Sequence, residues 1–191
     1  EPCDGGNWEW DAYDKVVEQD SKKGIESLII LYEVPTCYQL DGQVSKGPIN
    51  LDEPIFLDKD GVPTEEPSEA NEGLSGINPE NPWARWVFSA VDHYGDTVKY
   101  WQVWNEPNGG LHWTETTDRY ARLVEVAYFA AEHADKDVDL VMGGMLDPRG
   151  LSQDLTQWTI NLVNKLQSLS PRHQSYRYFV GPHKVVPPGY S

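Results

Sequence analysis

Apolar positions along this chain follow two alternating rhythms. Between Asn7 and Lys23, Trp10, Tyr13, Val16 and Val17 fall at helical spacing, and Gly24 follows as a stop signal. Ile25 to Tyr32 is a short continuous apolar run, of the kind that suits a strand buried on both faces. The helical rhythm returns from Trp83 to Tyr94, with Trp83, Trp86, Val87, Ala90, Val91 and Tyr94 on one face, and stops at Gly95-Asp96. Val98 to Trp104 predicts a second strand. Thr117 to Ala134 predicts a helix carrying Tyr120, Leu123, Val124, Ala127, Tyr128 and Ala131. Asp139 to Met145 reads as a third strand. Leu155, Trp158, Leu162, Leu166 and Leu169 mark another helix, and Tyr176 to His183 a last strand. Strict alternation of helix and strand implies βαβ units. The expected fold class is therefore α/β, with four parallel strands and alternating helices.

Residues 38–82 break the rhythm. They are rich in Pro, Gly, Asp, Glu and Asn, and read as one long strand-to-helix loop, a length more often met in functional loops than in plain connections. The loop is expected to be too polar to act as core. Within it, Asp58-Lys59-Asp60-Gly61 resembles the start of a calcium loop, but no Glu completes the ligand pattern, so an Asp-Gly turn is the better reading.

Charge and length narrow the picture. The chain holds 31 acidic and 15 basic residues, a net charge of −16. Such a surface repels nucleic acid and anionic membranes and favours a neutral substrate. No apolar run approaches the roughly 20 residues of a membrane span. With 191 residues the chain is short for a closed (β/α)8 barrel, which takes about 250 residues and at least roughly 200. It begins at Glu1-Pro2-Cys3 without an initiator Met, as a processed or excised chain would. Cys3 and Cys37 permit one disulfide, because both are expected on neighbouring loops at the carboxyl face of the sheet. A bridge would fit an oxidising, secreted or extracellular setting. Aromatics are 12% of the chain and include eight Trp, which suits a bulky core and a sugar-binding cleft equally.

Parallel α/β folds place function at the carboxyl ends of their strands. Asn105 and Glu106 lie where the second predicted strand ends. A carboxylic acid there can protonate a glycosidic oxygen, and a neighbouring Asn can hold a sugar hydroxyl. Pro107 restricts Glu106 to extended or turn backbone, as a strand exit requires. Trp113 and Tyr38 could stack on a sugar or pack in the protein. His93, His112, His133 and His173 lack metal-ligand spacing, and no metal or cofactor is expected. Asp14 and Lys15 read as ordinary surface charge on a helix.

Several segments in order carry a family likeness: Trp83-Ala84-Arg85-Trp86-Val87, Tyr94-Gly95, Tyr100-Trp101-Gln102-Val103-Trp104-Asn105-Glu106-Pro107-Asn108, Tyr120-Ala121-Arg122-Leu123 and Val141-Met142-Gly143-Gly144. Together they resemble the clan A glycoside hydrolases, most nearly family 39, the β-xylosidase and iduronidase type. The resemblance implies that residues 1–191 are one incomplete segment of a (β/α)8 TIM barrel, from its third to its sixth strand. It implies a retaining glycosidase mechanism with Glu106 as general acid/base, and Asn105 and His183 as substrate contacts. The family's His-x-Tyr is here His183-Lys184-Val185, a departure that weakens the match at His183. The family's nucleophile is a Glu on the seventh strand, and no such strand is expected here. Glu33 is the first alternative source of a second carboxylate. Two readings follow: a retaining glycoside hydrolase or a fragment of one, and a non-catalytic carbohydrate-binding or structural protein built on a truncated barrel. Both imply a carbohydrate partner, and the first also implies another chain, of the same or different sequence, that completes the barrel.

Overall fold

The computed structural model of the protein describes residues 8–134, 136–146 and 155–169. Helix α1 (Asp11–Lys22) leads into strand β1 (Leu28–Leu31). A long excursion carries a two-stranded hairpin, β2 (Phe56–Leu57) and β3 (Pro63–Thr64), and four 3-10 turns. Helix α2 (Pro82–Tyr94), strand β4 (Tyr100–Val103), helix α3 (Thr117–His133), strand β5 (Asp139–Met142) and helix α4 (Leu155–Leu169) follow. The main sheet has the order β1-β4-β5, all parallel, so β4 is central. The described residues thus form an α/β unit with a parallel three-stranded sheet and four helices. The fourth expected strand, Tyr176 to His183, lies outside the described residues.

Register explains which side of the sheet is core. Leu31, Val103 and Met142 are paired across the three strands and are all buried. In the alternate row, Leu28 and Ile30 of the edge strand β1 are exposed, whereas Gln102, paired with Ile30 on β4, is buried. Helices α2 and α3 pack on the buried side. Asn81 caps α2 through its side chain, which accepts from the Ala84 amide, and Pro82 follows at the first turn. Thr116 caps α3 in the same way, accepting from the Arg119 amide. Trp83 is fully buried, and its indole donates to the Leu123 carbonyl at 3.0 Å, fastening α2 to α3.

The long loop departs from its polar reading. Leu51, Ile55, Phe56 and Ile77 are all buried and join the main core. What makes this possible is satisfaction of the loop's backbone by buried polar side chains. Asn81 donates to the Glu53 carbonyl at 2.9 Å, Asn78 to Pro54 at 2.8 Å, and Arg122 to Leu51 and Glu53, both at 3.1 Å. The segment Asp58 to Gly61 is a hairpin turn. The Asp58 carboxylate accepts the Asp60 and Val62 amides at 2.9 and 2.8 Å, and Gly61 takes φ +78°. The Val62 amide, above all, holds that carboxyl below the usual range.

Helix α1 has no buried residue of its own. It is held by the stacked rings of Trp10, Trp86 and His93 and by Asp14, which accepts from His93 Nε2 and the Tyr94 hydroxyl, both at 2.9 Å. Asp14 is therefore a docking contact rather than free surface charge. The His93 hydrogen bond, then that of Tyr94, holds its carboxyl below the usual range. A lowered folded value means this contribution is present above the unfolded value of about 3.9 and is lost as pH falls through the folded one. Acidification below about pH 4 is thus expected to loosen α1 from α2. Tryptophan fluorescence of the parent and of Asp14→Asn would show it: the parent should lose part of its signal in acid, and Asp14→Asn should have lost that part already at neutral pH. Identical acid curves would refute the role.

Candidate active site

The site lies at the exits of β1 and β4, where the backbone leaves ordinary strand geometry. Glu33 follows β1 with φ +63°; Trp104 and Glu106 follow β4 with φ +67° and +42°. Left-handed backbone is uncommon for residues with side chains, and clusters of it mark functional sites. The neighbouring structure holds it in place. The Trp104 amide donates to the Leu31 carbonyl at 2.8 Å, Gln102 donates to the Trp104 carbonyl at 2.8 Å, and the Trp104 indole donates to the His112 carbonyl at 2.8 Å. The Gly109 amide closes the turn onto the Glu106 carbonyl at 2.8 Å. Asn108 clasps the exit of β5, accepting from the Leu146 amide at 2.8 Å and donating to its carbonyl at 3.0 Å. Gly143 leaves no room for a side chain: a Cβ there would meet Pro107 Cδ and the Val103 carbonyl oxygen, both at 2.9 Å.

Glu106 and Asn105 are both half-buried just past the central strand. The Glu106 carboxylate lies 3.5 Å from His112 Nε2, and the other ring nitrogen, Nδ1, is 2.9 Å from the Tyr32 hydroxyl. Burial pushes the Tyr32 phenol up, and the Glu33 and Glu106 carboxylates add to the effect. Tyr32, at the exit of β1, also meets Trp104 edge-on at 4.9 Å. Tyr32 and His112 were not singled out by the sequence. The signal available was an apolar run ending in Tyr-Glu, and a His six positions after the acid in a tight Gly-rich loop.

The other sequence candidates separate. Trp113 is 3% exposed, lies against Trp104 and Tyr120, and donates to the Thr116 carbonyl at 3.2 Å. A Cβ on Gly47 would strike its ring at 2.6 Å. The Trp113 ring is packed within the protein on both sides. Tyr38 sits in the 3-10 turn Thr36–Tyr38, partly buried against the core. Cys37, in the same turn, is disulfide-bonded; Cys3 and His183 lie outside the described residues. His133 is half-buried between Phe56 and Phe88, facing the Gly73 carbonyl at 3.2 Å. No helix among the described residues is long and apolar enough to cross a membrane.

The fold has a distant likeness among solved structures. A glucosidase from Croceicoccus marinus superposes with a TM-score of 0.50 at 16% identity, over 84% of this chain. The chain spans 27% of that protein's length, so the likeness is to one part of a much larger molecule. No family model and no curated protein sequence matches the chain.

Proposed function

We propose that this chain is a segment of a retaining glycoside hydrolase of the clan A type, most like family 39, in which Glu106 is the general acid/base. One observation carries the reading: a half-buried carboxylate, with Asn105 beside it and His112 at 3.5 Å, stands at the exit of the central strand of a parallel sheet. The Trp-Asn-Glu-Pro-Asn context and the glucosidase likeness support it. On this reading residues 1–191 form one incomplete (β/α)8 barrel segment, its substrate is a carbohydrate, and its setting is extracellular. Asn105 holds the sugar's 2-hydroxyl, and the family resemblance assigns His183 a contact to the same substrate. The covalent step needs a second carboxylate about 5–5.5 Å from the first; the family resemblance assigns it to a seventh strand, and Glu33 is the first alternative within this chain.

A chain with the acid and without the nucleophile has a distinctive behaviour. An external anion can stand in for the missing carboxylate. Azide attacks the anomeric carbon, the C1–O bond breaks, and the departing oxygen takes the proton of Glu106, giving a glycosyl azide and a phenol. The test is phenol release from aryl β-D-xylosides and β-D-glucosides by the 191-residue chain. Release should stay at background without azide and rise with it. For phenyl leaving groups, Glu106→Gln should then lower it by about 10²–10⁴, the usual worth of general acid catalysis. Dinitrophenyl leaving groups, which depart unaided, should lose far less. Azide-dependent release indifferent to Glu106→Gln would refute the acid role. Sugar binding without any release would favour the non-catalytic reading. Turnover without azide that Glu33→Gln abolishes would make Glu33 the nucleophile.

A further inference from the structure

Glu106 has two carboxylate oxygens, and the structure treats them differently. Oε2 is the one 3.5 Å from His112 Nε2. That distance is beyond the roughly 2.7–3.2 Å of an N–H···O hydrogen bond, and catalytic contacts often tighten to one only when substrate closes the site. His112 is itself held on its far side by Tyr32 at 2.9 Å, and its carbonyl is held by the Trp104 indole at 2.8 Å. Ring and backbone are thus both fixed from opposite directions, by one residue at the exit of β1 and one at the exit of β4.

We propose that His112, oriented by Tyr32, is a positioning residue that ties down Oε2 of Glu106 and leaves Oε1 as the oxygen that carries the transferable proton. The inference rests on the reading of Glu106 as general acid. The tautomer follows from elimination. A neutral imidazole has one N–H and one lone pair. If Nδ1 carried the proton, the Nε2 lone pair would face the lone pairs of a carboxylate. If Nε2 carries it, Nε2–H points at Oε2, and Nδ1 accepts from the phenol. With Glu106 ionised and the ring neutral, only the second arrangement makes both contacts attractive. The phenol is suited to donate, because burial and the two neighbouring carboxylates oppose its ionisation and keep its proton in place. With Oε2 accepting from His112, a proton on Glu106 sits on Oε1. Proton transfer to the glycosidic oxygen then leaves from Oε1, and the carboxylate that forms keeps its Nε2–H donor throughout. The same donor orients the carboxylate when it recovers a proton from water as general base. Imidazole ring nitrogens fixed in this way by a group on the far side are a recurrent means of setting histidine's role.

The tautomer can be read directly, without turnover. In the full chain labelled with ¹⁵N-histidine, His112 should show a protonated Nε2 and an unprotonated Nδ1 at neutral pH. Tyr32→Phe should erase the preference, so that the two ring resonances move toward each other. In chain labelled with ¹³C at the glutamate carboxyl, the Glu106 signal is assigned by its loss in Glu106→Gln. It should shift in His112→Phe and return toward the parent position in His112→Gln, whose amide nitrogen can replace Nε2–H. A His112 found as the Nδ1–H tautomer, a tautomer unmoved by Tyr32→Phe, or a Glu106 signal indifferent to His112→Phe would each overturn the proposal. The azide assay fails separately. If Glu106 is no general acid, the tautomer and carboxyl shifts persist while phenol release ignores Glu106→Gln.

Discussion

Replacing Tyr120 with phenylalanine is expected to destabilise the chain by about 2–6 kcal/mol, although only one oxygen is removed. That hydroxyl is fully buried on α3 and serves two strands at once. It donates to the Val103 carbonyl at 2.9 Å and accepts from the Gly143 amide at 2.8 Å. These groups belong to the last residue of β4 and the residue after β5, where the sheet ladder ends and no strand partner takes over. Phenylalanine would leave a donor and an acceptor buried and unpaired, at about 1–3 kcal/mol each. The ring contacts with Trp113 and Trp158, both at 5.7 Å, would survive, so little of the loss would come from packing. Against a net stability of roughly 5–15 kcal/mol the effect is large. Urea unfolding of parent and variant at one protein concentration measures it. The midpoint should fall with the slope unchanged. A loss below about 0.5 kcal/mol would mean that other donors replace the hydroxyl.

The same bond matters for the site. Gly143 packs so closely on Val103, Trp104 and Pro107 that it sets the width of the gap through which the turn Trp104 to Glu106 passes. The left-handed backbone at Trp104 and Glu106 is costly, and each such residue stores on the order of 1–3 kcal/mol unless its surroundings dictate it. Here they do: Leu31, Gln102, His112 and Gly109 each bind part of the turn. Tyr120→Phe is therefore expected to loosen the Glu106–His112 contact along with the fold.

How much of this was legible in the sequence depends on the kind of signal. Helix α2 was legible nearly to the residue, because its apolar stripe is dense and bounded by Asn81-Pro82 and Gly95. The three strands of the main sheet were legible as short apolar runs, and their parallel direction follows from alternation; the hairpin β2–β3 was not. The position of Glu106 at the exit of the central strand was legible from the strand pattern that precedes it. His112 and Tyr32 were not, because their meeting depends on residues 80 positions apart and on a turn built from left-handed Trp and Glu, residue types that carry no turn signal. The burial of Leu51, Ile55, Phe56 and Ile77 was hidden for a different reason. These residues are scattered without period among polar ones, and their burial depends on Asn78, Asn81, Arg119 and Arg122 satisfying the backbone around them. Asp14 looked like surface charge because its partners, His93 and Tyr94, lie on another helix.

Expressed by itself, the 191-residue chain is expected not to behave as a closed monomer. Among the described residues β1 pairs on one side only, with β4. A strand edge of this kind presents unpaired N–H and C=O groups and is a template for further pairing. The side chains point the same way. Leu28 and Ile30 are 49% and 45% exposed, although both belong to a strand of pure apolar sequence. Tyr13 and Val16 of α1, also exposed, lie beside the same strand. Between this edge and α1 runs a groove of about 470 Å³, lined by Trp10, Val17, Leu28, Ile30, Trp86 and Tyr94. The long loop is committed elsewhere, since its apolar residues pack into the existing core beside α2 and α3. Leaving a few hundred Å² of apolar surface in water forgoes about 25 cal/mol per Å², several kcal/mol where a domain's whole margin is roughly 5–15 kcal/mol. The occupant expected for it is a strand of another polypeptide, of the same or different sequence, adding to β1. Sedimentation and thermal melting of the purified chain decide the matter. Association whose melting temperature rises with protein concentration would support it, and Ile30→Lys should then weaken association while leaving the α2–α3 core intact. A cooperatively melting monomer that is indifferent to Ile30→Lys would sink the idea.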